Sequence, residues 1–191
     1  ALLQFVSTQI AAAIERKKSE TRLQHLAQHD QLTDLPNREL FHDRLRTALA
    51  RARRDGQRLA VLYLDLDQFK PVNDKHGHDV GDLLLREAAA RISQCVRDSD
   101  TVGRIGGDEF VVLLNGIDLP EHVVTIAAKI RAALRQPFEL AGCRLQVSAS
   151  IGIALYPDHG EDGKLLLRHA DDAMYDAKRQ GGDRALMSGA P

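Results

Sequence analysis

The sequence predicts an α+β fold, an α/β sandwich of the split βαβ kind (ferredoxin-like or palm-like), carried behind an N-terminal helical stalk. Three observations predict it. Apolar runs of strand length alternate with amphipathic helical stretches in the order strand, helix, strand, strand, helix, strand. The two middle strands are joined by Gly106-Gly107, a pair that permits a tight hairpin because neither residue carries a Cβ to oppose positive φ. Ahead of them, residues 1–29 contain no Pro or Gly and read as one helix.

Within residues 1–29, Leu3, Val6, Ile10 and Ala13 recur at heptad-like spacing; Glu15 to Arg22 is wholly polar, and Leu23 and Leu26 resume the stripe. The pattern fits either an amphipathic helix lying on the domain or a parallel stalk joining two protomers, since a helix polar all round for two turns usually bridges. Residues 30–191 then form the domain proper. Pro36 disfavours helix at Leu35, and Asn37 caps a helix from Arg38 to Asp55 that stops at Gly56. Leu59 to Leu64 is a buried strand ending in Asp65-Leu66-Asp67. A turn rich in Pro, Asn and Asp, Lys70 to Gly77, leads to a long helix from Asp79 to Arg97. Thr101 to Ile105 and Glu109 to Leu114 form the hairpin, and Pro120 opens a helix to Arg135. Phe138 to Leu140 and Arg144 to Tyr156 are strands, Gly163 to Gln180 the last helix, and Arg184 to Met187 a short final strand. This order predicts one antiparallel sheet with helices packed on one face.

Bulk properties narrow the function. The 191 residues suffice for one sizeable core. Charged residues at 28% and hydrophobic ones at 43% are ordinary for a soluble globular chain, and a net charge of −1 argues against a nucleic-acid-binding surface. Cys95 and Cys143 lack metal-ligand spacing and read as reduced thiols of a cytoplasmic protein. No run reaches the length of a membrane span, and the opening residues show no charged-apolar-small cleavage pattern. The opening without Met, inside a helical pattern, reads as a piece of a longer protein.

In the predicted topology the first and third core strands are antiparallel neighbours. Asp65, at the end of one, then meets Asp108 and Glu109, at the start of the other. Three converging carboxylates repel one another unless a cation lies between them. Hard oxygen ligands without Cys or His select Mg²⁺ or Mn²⁺, ions that share their coordination with phosphates; two of them can clamp an in-line phosphoryl or nucleotidyl transfer. Lys70 can reach a phosphate, and the turn from Asp67 to Lys70 offers backbone N–H groups. The residues alone thus point to a metal-dependent nucleotide site without naming the nucleotide.

Gly106-Gly-Asp-Glu-Phe110 resembles the motif that names the GGDEF family of diguanylate cyclases. Asp30-Gln-Leu-Thr-Asp-Leu-Pro-Asn-Arg38, Asp65-Leu-Asp-Gln-Phe-Lys-Pro-Val-Asn-Asp74 and Gly77-His-Asp-Val-Gly-Asp82 are similar to further family motifs. So are Ser150-Ile-Gly-Ile153 and Ala170-Asp-Asp-Ala-Met-Tyr-Asp-Ala-Lys178, all in family order over residues 30 to 185.

The resemblance implies condensation of two GTP into cyclic di-GMP with release of two pyrophosphates, one GTP per protomer, so that a homodimer is needed. It implies metal ligation by Asp65, the Leu66 carbonyl, Asp108 and Glu109, with two Mg²⁺ or Mn²⁺ per site and one of the signature acids activating the 3′-hydroxyl. By position Asn73 and Asp82 read guanine, whose N1–H and N2–H₂ suit acceptors. Phe69, Lys70, Gly106, Gly107 and Lys178 line the nucleotide site. His78 either joins them or only opens its helix. Arg97-Asp-Ser-Asp100, with Arg104 as a neighbour, matches an R-x-x-D site for inhibition by bound product; the competing reading is a helix-terminal ion pair.

Two departures stand out. Gly182 occupies the place of a phosphate-binding Arg, for which Arg184 substitutes if the loop folds back, and Asp34 stands where Gly is common. The resemblance also implies a bacterial cytoplasmic domain whose parent is free to be membrane-attached elsewhere. Phe5 to Glu15 is similar to the last helix of GAF-type sensors, and the segments Tyr156 to Gly160 and Lys178 to Gly181 to those of proteins with a following phosphodiesterase. The rival readings are a non-catalytic GTP-binding or cyclic-di-GMP-sensing regulator, a receptor or dimerisation module, and a mononucleotide purine cyclase, against which Asn73 and Asp82 argue.

Overall fold

The computed structural model describes the backbone of residues 2–189, and the side chains of Ile10 and of residues 12–189. In chain order the elements are α1 (Leu2–Gln28), α2 (Arg38–Asp55), β1 (Arg58–Asp67), α3 (Phe69–His76), α4 (His78–Ser93), β2 (Thr101–Gly106) and β3 (Glu109–Ile117). They continue with α5 (Pro120–Arg135), β4 (Phe138–Leu140), β5 (Cys143–Leu145), β6 (Ser148–Tyr156), α6 (Gly163–Arg179) and β7 (Ala185–Met187). The central sheet has the order β2-β3-β1-β6-β7; its pairings are antiparallel except β6 with β7, and β4 and β5 make a separate hairpin. The predicted neighbours β1 and β3 are therefore paired as the split βαβ order requires.

Helices cover both faces of this sheet, not one. Ala60, Leu62, Leu64, Phe110, Val112 and Leu114 pack against Leu84, Ala88 and Ile92 of α4 and Val123, Ala127 and Ile130 of α5. The alternate residues Leu59, Val61, Val111 and Leu113 pack against Phe41 and Leu45 of α2 and Leu166 and Ala170 of α6. The physical reason is visible in the strands themselves. Leu59 to Leu64 is an unbroken apolar run, and a strand with no polar alternation is stable only when both its faces are covered. Each of these large side chains gains about 1.5–3 kcal/mol on full burial.

Three boundaries differ from expectation. The predicted turn from Lys70 to Gly77 is mostly the helix α3, because Pro71 falls in its first turn, where a missing N–H costs nothing. The helix expected to reach Arg97 ends at Ser93; beyond it Arg97 N–H donates to Asp100 Oδ2 (3.0 Å), and the chain turns. The expected strand from Arg144 to Tyr156 is two, β5 and β6, with Val147 buried in the α4/α5 core between them.

The start of the domain is fastened to the end of α1. Asn37 Oδ1 accepts from Leu40 N–H (3.1 Å) and so caps α2, its Nδ2 donates to Ala27 O (2.7 Å), and its N–H donates to Gln28 O (2.9 Å). Among its described side chains α1 is otherwise open: Ile10, Ile14, Leu23 and Leu26 are exposed, so that part of the helix does not lie on the domain. The side chains of Leu3 and Val6, and most of the Phe5 to Glu15 resemblance, lie outside the described residues. Among the described residues no helix is long and apolar enough to cross a membrane.

Candidate active site at the ends of β1 and β3

Strand alternation places the acids. Leu59, Val61, Tyr63, Asp65 and Asp67 follow one another on the α2/α6 face of β1. Glu109 precedes Val111 on the same face of β3, and the register sets Asp65 directly opposite Glu109. Like charges directly opposite are destabilising. The charge that meets them comes from α6, whose Lys178 Nζ lies 2.6 Å from Asp65 Oδ1. The α6 backbone lies close against β6 because residue 152 is Gly: a Cβ there would run into the backbone of Ala170 and Met174.

Asp65 is 6% exposed. Burial pushes its carboxyl up to about 6; the charges of Asp108 and Glu109 add to this and the Lys178 ammonium opposes it. Despite that ammonium, Asp65 Oδ1 has no aligned hydrogen bond. Glu109 Oε2 accepts from the Tyr63 hydroxyl at 3.1 Å, and burial, then the Glu109 charge, holds that phenol well above its ordinary range. Asp171 on α6 is raised too, by desolvation and then by Glu109. Among the described residues, no three acids, imidazoles or thiols are gathered closely enough to hold a metal unaided. The residues nevertheless fit a hard cation: a buried, poorly bonded carboxylate faces a second one, with a lysine ammonium standing where positive charge is needed. Such an ion would take its other ligands from backbone and substrate oxygens, as Mg²⁺ usually does.

The hairpin turn is braced from outside. Gly106 (φ 155) and Gly107 (φ 53) make the turn, and Arg104 donates to Gly107 O through Nε (3.0 Å) and Nη2 (2.7 Å). Arg104 Nη1 reaches Asp30 Oδ1 (2.8 Å), which also accepts from Thr33 N–H and the Thr33 hydroxyl, and Arg104 N–H donates to Pro36 O. The Asp30 carboxyl, although burial opposes it, is held below its usual range by Thr33 and Arg104. The Asp30-to-Arg38 motif is thus a clamp on the signature turn. Asp34 adopts φ 61, which explains why that place suits Gly. Arg104 is engaged in this brace and does not line the groove that contains Arg97.

Asp67 does different work. Its carboxylate accepts from the hydroxyls of Ser148 (2.6 Å) and Ser150 (2.7 Å) and from Asp183 N–H (2.9 Å). Gly182 packs against it, Arg131 and Arg135 pair with Asp183, and the segment after α6 folds back onto the end of β1. Arg184 in that segment bonds Gly182 O and Gln180 Oε1.

The expected nucleotide-end residues gather at the α3/α4 junction. Asn73 sits where Gly81 leaves room for it, and its Oδ1 is buried without a partner. Asp82 and His78 are exposed on the first turns of α4; Lys70 is exposed and Phe69 half-buried on α3. The Leu66 N–H donates to Asp108 O (3.2 Å), which joins the strand ends at the backbone. Arg97 lies elsewhere, in a groove of about 640 Å³ shared with Arg44, Arg51 and Arg58. Both Asp100 oxygens are taken by the backbone N–H groups of Arg97 and Asn115. The sequence reading assigns no side-chain role to Tyr63, Asp67 or Asp171; the two-residue period of β1 is the signal that puts Tyr63 and Asp67 on the face of Asp65.

Comparison with known proteins matches residues 27–184 to the family model described as diguanylate cyclase, GGDEF domain. The bifunctional diguanylate cyclase/cyclic di-GMP phosphodiesterase MucR of Pseudomonas aeruginosa is 49% identical over 90% of this chain and 25% of its own length. The diguanylate cyclase TpbB of Pseudomonas aeruginosa is 47% identical over 86% of this chain and 38% of its own. The chain therefore spans well under half of each of these two relatives. Among solved structures, the coiled coil and GGDEF domain of DgcB from Caulobacter crescentus, in complex with c-di-GMP, superposes with a TM-score of 0.87 at 28% identity, covering 98% of this chain and 100% of that one.

Proposed function

Because the chain belongs to the GGDEF domain family, we propose that it is a diguanylate cyclase domain that condenses two GTP into cyclic di-GMP and two pyrophosphates at the interface of two copies. The observation that carries this reading is Asp65 set directly opposite Glu109 at the double-glycine turn, with one buried, raised carboxyl awaiting a cation. Asp65, Asp108, Glu109 and the Leu66 carbonyl would hold divalent ions, Mg²⁺ or Mn²⁺ and two per site, which supply charge neutralisation on the phosphates when bound. Asn73, with its unpartnered buried oxygen, and Asp82 accept from the guanine edge, while His78 and Phe69 line the base site. Lys70 and Lys178 bind phosphate oxygens, and Gly106 and Gly107 let the chain approach closely because they have no side chains. The 3′-hydroxyl of one GTP attacks the α-phosphorus of the other as a carboxylate of the Asp108–Glu109 pair accepts its proton. The new P–O bond forms, the bond to pyrophosphate breaks, and the second half-reaction repeats this with the roles exchanged.

The exposed apolar residues Ile14, Leu23 and Leu26 support pairing of two copies through residues 1–29, ahead of a domain of residues 30–191. The arginine groove around Arg97 supports binding of the anionic product as an inhibitor, with Asp100 shaping the turn beneath it. One experiment tests the whole: purified chain with GTP and Mg²⁺, products separated by chromatography, and the same chain fused to a dimerising coiled coil. Formation of cyclic di-GMP, enhanced in the fusion, is expected. If neither form makes it, the second reading stands, a nucleotide-binding regulator; its support is that Lys178 already satisfies part of the Asp65 charge.

A further inference from the structure

We infer that Tyr63 is a positioning residue for Glu109: its phenol holds one oxygen of the carboxylate and so fixes where the other is presented. The inference rests on the cyclase reading and adds to it a residue that none of the motifs contains.

Tyr63 pairs with Val111 across β1 and β3, so Glu109, two residues before Val111, is its diagonal neighbour on the same face. Long side chains reach across that diagonal, and Tyr63 does so with a 3.1 Å hydrogen bond to Oε2. Its ring is half-buried at the margin of the α2/α6 core. On its other side it faces Gly152 of β6, where α6 backbone takes the space of a side chain. The ring is therefore anchored by packing, and only its hydroxyl is committed to the site.

Glu109 needs such an anchor. It faces Asp65 directly and feels Asp171 on α6, while the Lys178 ammonium is engaged by Asp65. Among the described residues the Tyr63 hydroxyl is the one hydrogen-bond donor to the Glu109 side chain. Without it the carboxylate would swing away from Asp65 to relieve repulsion, which also takes it away from a cation and from a hydroxyl to be deprotonated. Outer-shell donors of this kind commonly set ligand orientation and are worth about 10–100-fold in affinity or activity.

The test is a double-mutant cycle of Tyr63→Phe and Glu109→Ala. Mn²⁺ affinity is read by electron paramagnetic resonance in the presence of a GTP analogue with a non-cleavable α–β bridge, and kcat and KM for GTP are read beside it. Phe fills the same apolar space, so circular dichroism of Tyr63→Phe should match that of the parent. The expected result is about tenfold weaker Mn²⁺ binding and a similar loss in kcat, KM for GTP within about twofold, and no further effect of Tyr63→Phe once residue 109 is Ala. Mn²⁺ affinity and kcat within about twofold of the parent, or a loss that persists in the Glu109→Ala background, overturns the inference and leaves the cyclase reading intact. A parent chain that holds no Mn²⁺ with the analogue overturns both.

Discussion

Asp65 and Asp67 are two residues apart on one face of one strand, yet their surroundings are opposite. Asp67 receives three donors; Asp65 is buried, faces another acid, and meets only the Lys178 ammonium, without an aligned hydrogen bond at Oδ1. A carboxylate fully occupied by its own protein is architectural, holding the chain after α6 against the end of β1. A carboxylate left short of partners at the cost of stability is one kept for something the protein does not itself contain. The contrast separates scaffold from chemistry within a single D-x-D motif.

Substituting the two acids in parallel is the most direct way to break this contrast. Asp65→Asn should abolish cyclic di-GMP formation by about a thousandfold, the equivalent of several kcal/mol of lost charge stabilisation, while the domain stays folded. A variant with more than about a tenth of parental turnover would show that Asp65 is not kept for chemistry. Asp67→Ala should do the reverse. It strands two hydroxyls and a backbone N–H, so urea titration should register a loss of about 2–4 kcal/mol, with turnover reduced less than in Asp65→Asn. Unchanged stability would demote Asp67 from its architectural role.

The metal-free protein sharpens the same contrast through pH. The Asp65 carboxyl is raised in the folded state to about 6, against an unfolded value near 3.8. Below pH 4 it is protonated in both states and its favourable contribution is complete. Between about 4 and 6 the unfolded chain releases a proton that the folded chain keeps, so stability falls with rising pH, by about 2–3 kcal/mol in total. Denaturation in the presence of chelator should trace that fall in the parent and not in Asp65→Asn, and added Mg²⁺ should restore stability at pH 8 in the parent alone. The smallest effect belongs to the brace. Arg104→Lys keeps a charge for Asp30 but loses the fork onto Gly107 O, and about 1 kcal/mol of stability should go with it. A thermal shift of a few degrees would register the change; no shift would mean that the turn holds itself.

Much of the site was legible because it depends on strand order and a two-residue period. Asp65 beside Glu109 follows from the split βαβ topology, and Gly106-Gly107 from the demands of the turn. The cover on both faces is legible too, in the unbroken run Leu59 to Leu64, although the order of elements by itself points to one-sided burial. Helix α3 was hidden by Pro71, Asn73 and Asp74, all turn formers by composition and all tolerated in so short a helix. The Lys178–Asp65 contact and the Asp67 clamp could not be read locally, since each joins β1 to the far end of the chain across 113 and 116 residues. They exist only once α6 has docked.

That docking hangs on the hydrogen atom that Gly152 has in place of a side chain. Add one methyl there, and α6 must lift from β6 because the obstruction is backbone. Lys178, near the end of that helix, would be carried off Asp65 with it, and Tyr63, paired with Gly152, would lose the flat wall beside its ring. An alanine buried far from solvent would thus act as a change in the charge balance of the site. Libraries that alter only polar residues would overlook a position that acts on the charges of the site through packing alone.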